Sequence, residues 1–135
     1  MLGDSPINYP VGFWLSRTDA DALIALDVRS PNDGCLFRWV NSEHRFINPF
    51  WGSKFRLDGT VIDGRPLRDV DRYRMIIYFT DGTIAESNEA GDPIPLNGRE
   101  IDHLIVDRDY LIQGAPTGIR PYFYYISIGR LADSP

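Results

Sequence analysis

Cysteine and lysine each occur once in this chain of 135 residues, as Cys35 and Lys54. A single cysteine makes no intrachain disulfide, so a small scaffold stapled by disulfides is excluded. One cysteine and two distant histidines, His44 and His103, cannot assemble a zinc site in the usual way. Residues that fill helices are also scarce. Ala 7, Glu 4, Lys 1, Gln 1 and Met 2 make 15 positions, too few for a helix bundle or a coiled coil. No stretch approaches the roughly 18 consecutive apolar residues of a membrane-spanning helix. The opening Met-Leu-Gly-Asp-Ser-Pro lacks the positive start and apolar run of an export signal, so synthesis and folding in the cytoplasm are expected.

What the chain has in quantity points to strands. Ile 14, Val 6, Thr 5 and 17 aromatics give 42 residues suited to a pleated surface. Gly 12, Pro 10, Asn 6 and Asp 15 add 43 turn formers, a supply that fits many short strands joined tightly. The length suits one domain with its own core. The expected fold is mainly β: a single antiparallel β-sandwich or small β-barrel of about seven or eight short strands. One short helix near residues 19–27 and extended terminal arms complete it. The divisions are an N-terminal arm over 1–12, a β-rich domain over 13–130 and a C-terminal tail over 131–135.

The net charge of -5 speaks against general affinity for a nucleic-acid backbone, which needs a basic face. Thirteen of the fourteen cationic residues are Arg. Arg makes bidentate pairs and stacks on rings, which suits interfaces, but codon bias yields the same excess. These Arg residues are spread from Arg17 to Arg130 and form no cluster along the chain.

Thr18-Asp19-Ala20-Asp21 reads as a capped helix start, with Leu23, Ile24 and Leu26 following and Pro31 closing the segment. From Cys35 to Val40 the pattern alternates, with Cys35, Phe37 and Trp39 on one face. Asp-Gly at 58–59 and 81–82 predicts two-residue hairpin turns. The first would pair Leu57 with Thr60 and Phe55 with Ile62, the second Thr80 with Thr83 and Phe79 with Ile84. Before the second turn, Tyr73, Met75, Ile77 and Phe79 share one face. Residues 99–106 could open a helix from Asn97, but Ile101, His103 and Ile105 alternate with Leu104 and Val106, and strand is the better reading. Tyr122 to Ile128 suits a strand covered on both faces.

No nucleophile elbow, phosphate loop or paired metal-ligand histidines occur, and no catalytic residue, metal site or cofactor is assigned. His44 fits a polar turn, His103 a core or interface position, and Cys35 a small buried thiol. The acidic stretches 69–71, 88–92 and 107–109 read as solvated turns, since none has the spacing of a helix-loop-helix calcium site. The segment Phe46-Ile47-Asn48-Pro49-Phe50-Trp51-Gly52 stands out, because three aromatics beside Pro and Gly do not make a regular strand. It either plugs a core or meets a partner. The candidate interface or ligand platform is Phe46, Phe50, Trp51, Lys54, Arg56, Tyr122 and Tyr124, with Ile7 and Tyr9 as arm contacts.

These features lead to the expectation of a non-enzymatic assembly subunit, in the manner of a virion decoration, connector or tail protein. Its partners would be further copies or other subunits, without general nucleic-acid or membrane binding. The competing expectation is a β-barrel holding a small molecule or nucleotide, as a sponge or an enzyme.

Overall fold

The computed structural model describes residues 3–31 and 33–118. They form two antiparallel sheets. The first three strands are β1 (Ile7–Tyr9), β2 (Phe13–Arg17) and β3 (Ala22–Asp27). A smaller sheet follows in simple up-and-down order: β4 (Arg38–Val40), β5 (Arg45–Ile47), β6 (Lys54–Phe55) and β7 (Val61–Asp63). The chain then returns to the larger sheet through β8 (Arg72–Phe79), β9 (Ile84–Glu86), β10 (Ile94–Pro95) and β11 (Ile101–Ile112). The larger sheet runs β1-β2-β3-β8-β11, with β10 beside β3 and β9 beside β8. Among the described residues it does not close into a barrel, and β1 and β11 are its two ends.

Two hydrophobic cores lie on opposite faces of β2 and β3. One gathers Phe13, Leu15, Leu23, Ala25, Tyr73, Met75, Ile77, Phe79, Ile94 and Leu96. The other gathers Ile24, Leu26, Phe37, Phe46, Phe55 and Val70, with Trp14, Trp39 and Val61 packed against it. In this second core Phe46 meets Trp14, Phe37 and Trp39 edge-on, at ring separations of 5.1–5.3 Å. Edge-on contact is the favoured geometry for rings whose faces are electron-rich.

This arrangement corrects the helix expected over 19–27. Every residue of β3 is buried, with Leu23 and Ala25 in the first core and Ile24 and Leu26 in the second. A strand covered on both faces carries an unbroken apolar run, which looks the same as a short buried helix. Thr18 does accept from an N–H ahead of it, as a cap would, but the donor is Ala22 across a tight turn. Asp21 closes that turn at φ +56°.

The N-terminal arm also folds differently from expectation. Ile7 and Tyr9 pair with Leu15 and Phe13 of β2, and the Tyr9 ring stacks on Phe13 at 4.8 Å. Pro10 and Gly12 belong to the hairpin turn, where the Gly12 N–H donates to the Tyr9 carbonyl. The tail over 131–135 lies outside the described residues.

Both predicted Asp-Gly hairpins are present, shifted by one residue. Phe55 faces Val61, and Tyr78 faces Ile84. The loops have three residues, because the Asp carboxylate accepts from both the N–H and the hydroxyl of the Thr that follows Gly. This draws the chain into a type I turn with Gly59 or Gly82 at positive φ, the bulged form of hairpin. A one-residue slip changes faces, so Ile84 points to solvent, 58% exposed, and Ala85 packs inward. Asn97-Gly98 makes a two-residue turn, with both residues at positive φ and the Arg99 N–H donating to the Leu96 carbonyl.

The inner face of β8 is as expected: Tyr73, Met75, Ile77 and Phe79 are all buried. Residues 101–112 form strand. The acidic stretch 69–71 is not solvated. Asp71 is buried, takes a bidentate pair from Arg68 at 2.9 Å for both contacts, and accepts the Gly114 N–H.

Candidate functional site

The segment that stood out in the sequence divides at Asn48. Phe46, on β5, has no exposed surface and belongs to the second core, so it drops out of any contact platform. The residues after Asn48 form a closed turn. Asn48 N–H donates to the Ser53 carbonyl, and Gly52 N–H to the Asn48 carbonyl, both at 2.8 Å. Gly52 takes φ +73°, which ends the turn and lets the chain enter β6.

A buried amide holds this turn. The Asn48 side chain has no exposed surface, and its carbonyl oxygen accepts the Phe50 N–H at 3.0 Å. Its Nδ2 donates to the Asp33 carboxylate, at 3.0 Å to the nearer oxygen. Asp33 also accepts the Cys35 N–H at 2.8 Å. One carboxylate therefore ties the 33–35 loop to the aromatic turn. Burial pushes the Cys35 thiol up from its ordinary value, and the Asp33 carboxylate adds to the shift while Trp51 opposes it. The residue is half-buried instead of fully buried, and stays a thiol near neutral pH.

At the tip of this anchored turn, Phe50 is 73% exposed and Trp51 is 68% exposed. Leu36, next to Cys35, is exposed as well. The remaining platform residues are engaged elsewhere. Lys54 pairs with Glu43 at 3.7 Å, and Arg56 donates across its own hairpin to Thr60 and to the Val61 carbonyl. Tyr122 and Tyr124 lie outside the described residues. Of the sequence-predicted platform, the structure thus leaves Phe50 and Trp51 exposed together on one turn. The Asn48–Asp33 anchor, between residues 15 apart, has no local sequence signal beyond the turn-forming Asn-Pro and Asp-Gly pairs.

The histidines do not converge on one another. His44 follows the 3-10 turn Asn41–Glu43, at φ +52°, in the polar turn expected for it. Its Nε2 is 3.5 Å from Asp19, and the ring meets Trp39 edge-on. His103 is exposed, contrary to a core position; it stacks flat on Tyr78 at 4.4 Å and bonds Asp102 through Nδ1 at 2.6 Å. Its register opposite Tyr78 puts it on the face of the sheet away from the first core, where Ile77 and Phe79 point. Among the described residues no three His, Cys, Asp or Glu side chains are grouped to hold a metal ion.

Comparison with known protein families, characterised proteins and solved structures finds no match to this chain.

Proposed function

We propose that this chain is a non-enzymatic assembly subunit that docks the Phe50–Trp51 turn into a partner protein, in the class that includes virion decoration, connector and tail proteins. The observation that supports the reading is a pair of large aromatics held out in water by a turn that is itself fixed through a buried amide. Keeping two such side chains exposed forgoes about 1.5–3 kcal/mol each of hydrophobic stabilisation. A partner pocket recovers it on binding, and the pre-set turn reduces the ordering cost. Aromatic anchors of this kind dominate interfaces. Phe50 and Trp51 are exposed on a surface turn and line none of the cavities described, which favours insertion into a partner over enclosing a ligand.

The double variant Phe50→Ser/Trp51→Ser tests this. Both side chains are exposed, so the fold should keep its denaturation midpoint. The wild-type chain, purified from its source without denaturation, should elute with a larger particle, and the variant should elute alone. Against a purified partner, losing such an anchor weakens binding roughly 30-fold or more. A wild-type chain that elutes free, or a variant that assembles equally well, overturns the reading.

A further inference from the structure

We propose that the edge of β11 turned away from β8 pairs with the same edge of a second copy of this chain, about a two-fold axis through Ile105. β11 is the longest strand among the described residues, with β8 on one edge and no described strand on the other. Unpaired edges of this length are templates for further strands, and proteins normally blunt or cover them. Here the blunting is confined to the ends. Bulges interrupt the ladder between Ile101 and His103 and again between Asp107 and Leu111. They leave one regular run, His103 to Asp107, whose midpoint is Ile105.

That run is complementary to itself. Antiparallel pairing centred on Ile105 sets Ile105 against Ile105, Leu104 against Val106, and His103 against Asp107. Directly opposite side chains share a face. On the outer face the exposed Ile105 pair, 48% accessible in the single chain, is therefore flanked by His and Asp on both sides. On the inner face Leu104 and Val106, half-buried against the first core, cover each other across the axis. Neighbouring two-fold registers lose this match: centring on Val106 opposes Ile105 to Asp107, and centring on Leu104 opposes His103 to Ile105. The bulges also make the contact close on itself. A five-residue window permits one isologous pair and no continuing ribbon.

This inference concerns a different surface from the Phe50–Trp51 turn and does not depend on it. The interface is small, so dissociation on the order of micromolar is expected. Sedimentation across a concentration series should show monomer and dimer in exchange. Ile105→Lys, which sets two like charges face to face on an outward position, should raise the dissociation constant at least about tenfold while leaving the circular dichroism spectrum intact. In a Cys35→Ser background, Ile105→Cys should form a covalent dimer under mild oxidation. Opposed strand residues have Cα atoms about 4.5 or about 5.5 Å apart, inside the range a disulfide spans. Ile84→Cys, exposed on β9, should not cross-link at a comparable rate. Phe50→Ser/Trp51→Ser should dimerise as the wild type does, which separates the two proposals. A chain monomeric at all concentrations overturns the inference. So does a dimer indifferent to Ile105→Lys, or a cross-link as fast at Ile84→Cys as at Ile105→Cys.

Discussion

Gly59 and Gly82 occupy the same place in two turns of the same Asp-Gly-Thr sequence, at φ +83° and +86°, yet their surroundings differ. A methyl group on Gly82 would meet nothing within 4 Å, while one on Gly59 would stand 2.7 Å from Leu26 Cδ2 and 3.1 Å from Val70 Cβ. Both substitutions incur the left-handed backbone penalty, about 1 kcal/mol. Only Gly59→Ala also overpacks a core, at a further 1–3 kcal/mol or so. Chemical denaturation should therefore show Gly82→Ala losing roughly 1 kcal/mol and Gly59→Ala roughly 2–4. Equal losses would mean that the second core yields to a methyl group without cost. The turns themselves were legible in the sequence from Asp-Gly. Their length was not, because it depends on the Thr hydroxyl that the Asp carboxylate captures, a contact that the Asp-Gly dipeptide does not contain.

At the scale of elements, β3 carries the main lesson about reading this sequence. The alternation of β8 was legible because its two faces differ: Tyr73, Met75, Ile77 and Phe79 are buried, whereas Arg74, Ile76 and Tyr78 are only partly so. β3 has no such contrast, since Phe46 and Phe55 of the smaller sheet pack on one face and the side chains of the first core, such as Met75 and Ile77, pack on the other. Its hexapeptide therefore states burial without stating conformation. The aromatic turn was legible as an anomaly, but its division into core and surface was not, because that division rests on Asp33 reaching Asn48 from another loop. The two-sided burial of β3 makes a direct prediction. Leu23→Ala and Leu26→Ala remove side chains with no exposed surface from different cores, and each should cost about 2–5 kcal/mol. Three residues of strand hold the two positions roughly 10 Å apart, and they share no core partner. Their effects should add in the double variant to within about 0.5 kcal/mol. If that variant is too unstable to fold, Leu23→Val and Leu26→Val put the same question at lower cost. A clear excess over additivity would show that the two cores rearrange together through β3.

Across the whole molecule, the two cores are fastened at one corner where three distant parts of the chain meet. The Asp71 carbonyl accepts the Asp27 N–H at 2.8 Å, and its carboxylate holds Arg68 and the Gly114 N–H. Next to it, the Tyr73 hydroxyl donates to Asp27 at 3.2 Å. Two titrations of opposite sign therefore act on the same junction. Burial alone would raise the Asp71 carboxyl, but the Arg68 pair, the Gly114 N–H and the charge of Arg72 outweigh it and hold the group below the ordinary carboxylate range. A depressed value stabilises the fold above about pH 4, where the unfolded carboxyl is ionised, and the contribution fades as pH falls through the folded value. Tyr73 is shifted the other way, by burial first and then by Asp27, against a smaller opposing effect of Arg108. A raised value leaves stability intact below about pH 10, and the contribution is lost as pH climbs through the folded value. The urea midpoint should thus be level from about pH 5 to 9 and fall on both sides. Asp71→Asn should lower the plateau by roughly 1–2 kcal/mol, since Arg68 is partly exposed and its pair is screened, and should make the acid decline shallower. Tyr73→Phe should leave the acid side unchanged and flatten the alkaline one. An acid decline of unchanged slope in Asp71→Asn would place the acid sensitivity at other carboxylates, such as Asp81, which Thr83 holds low in its exposed turn.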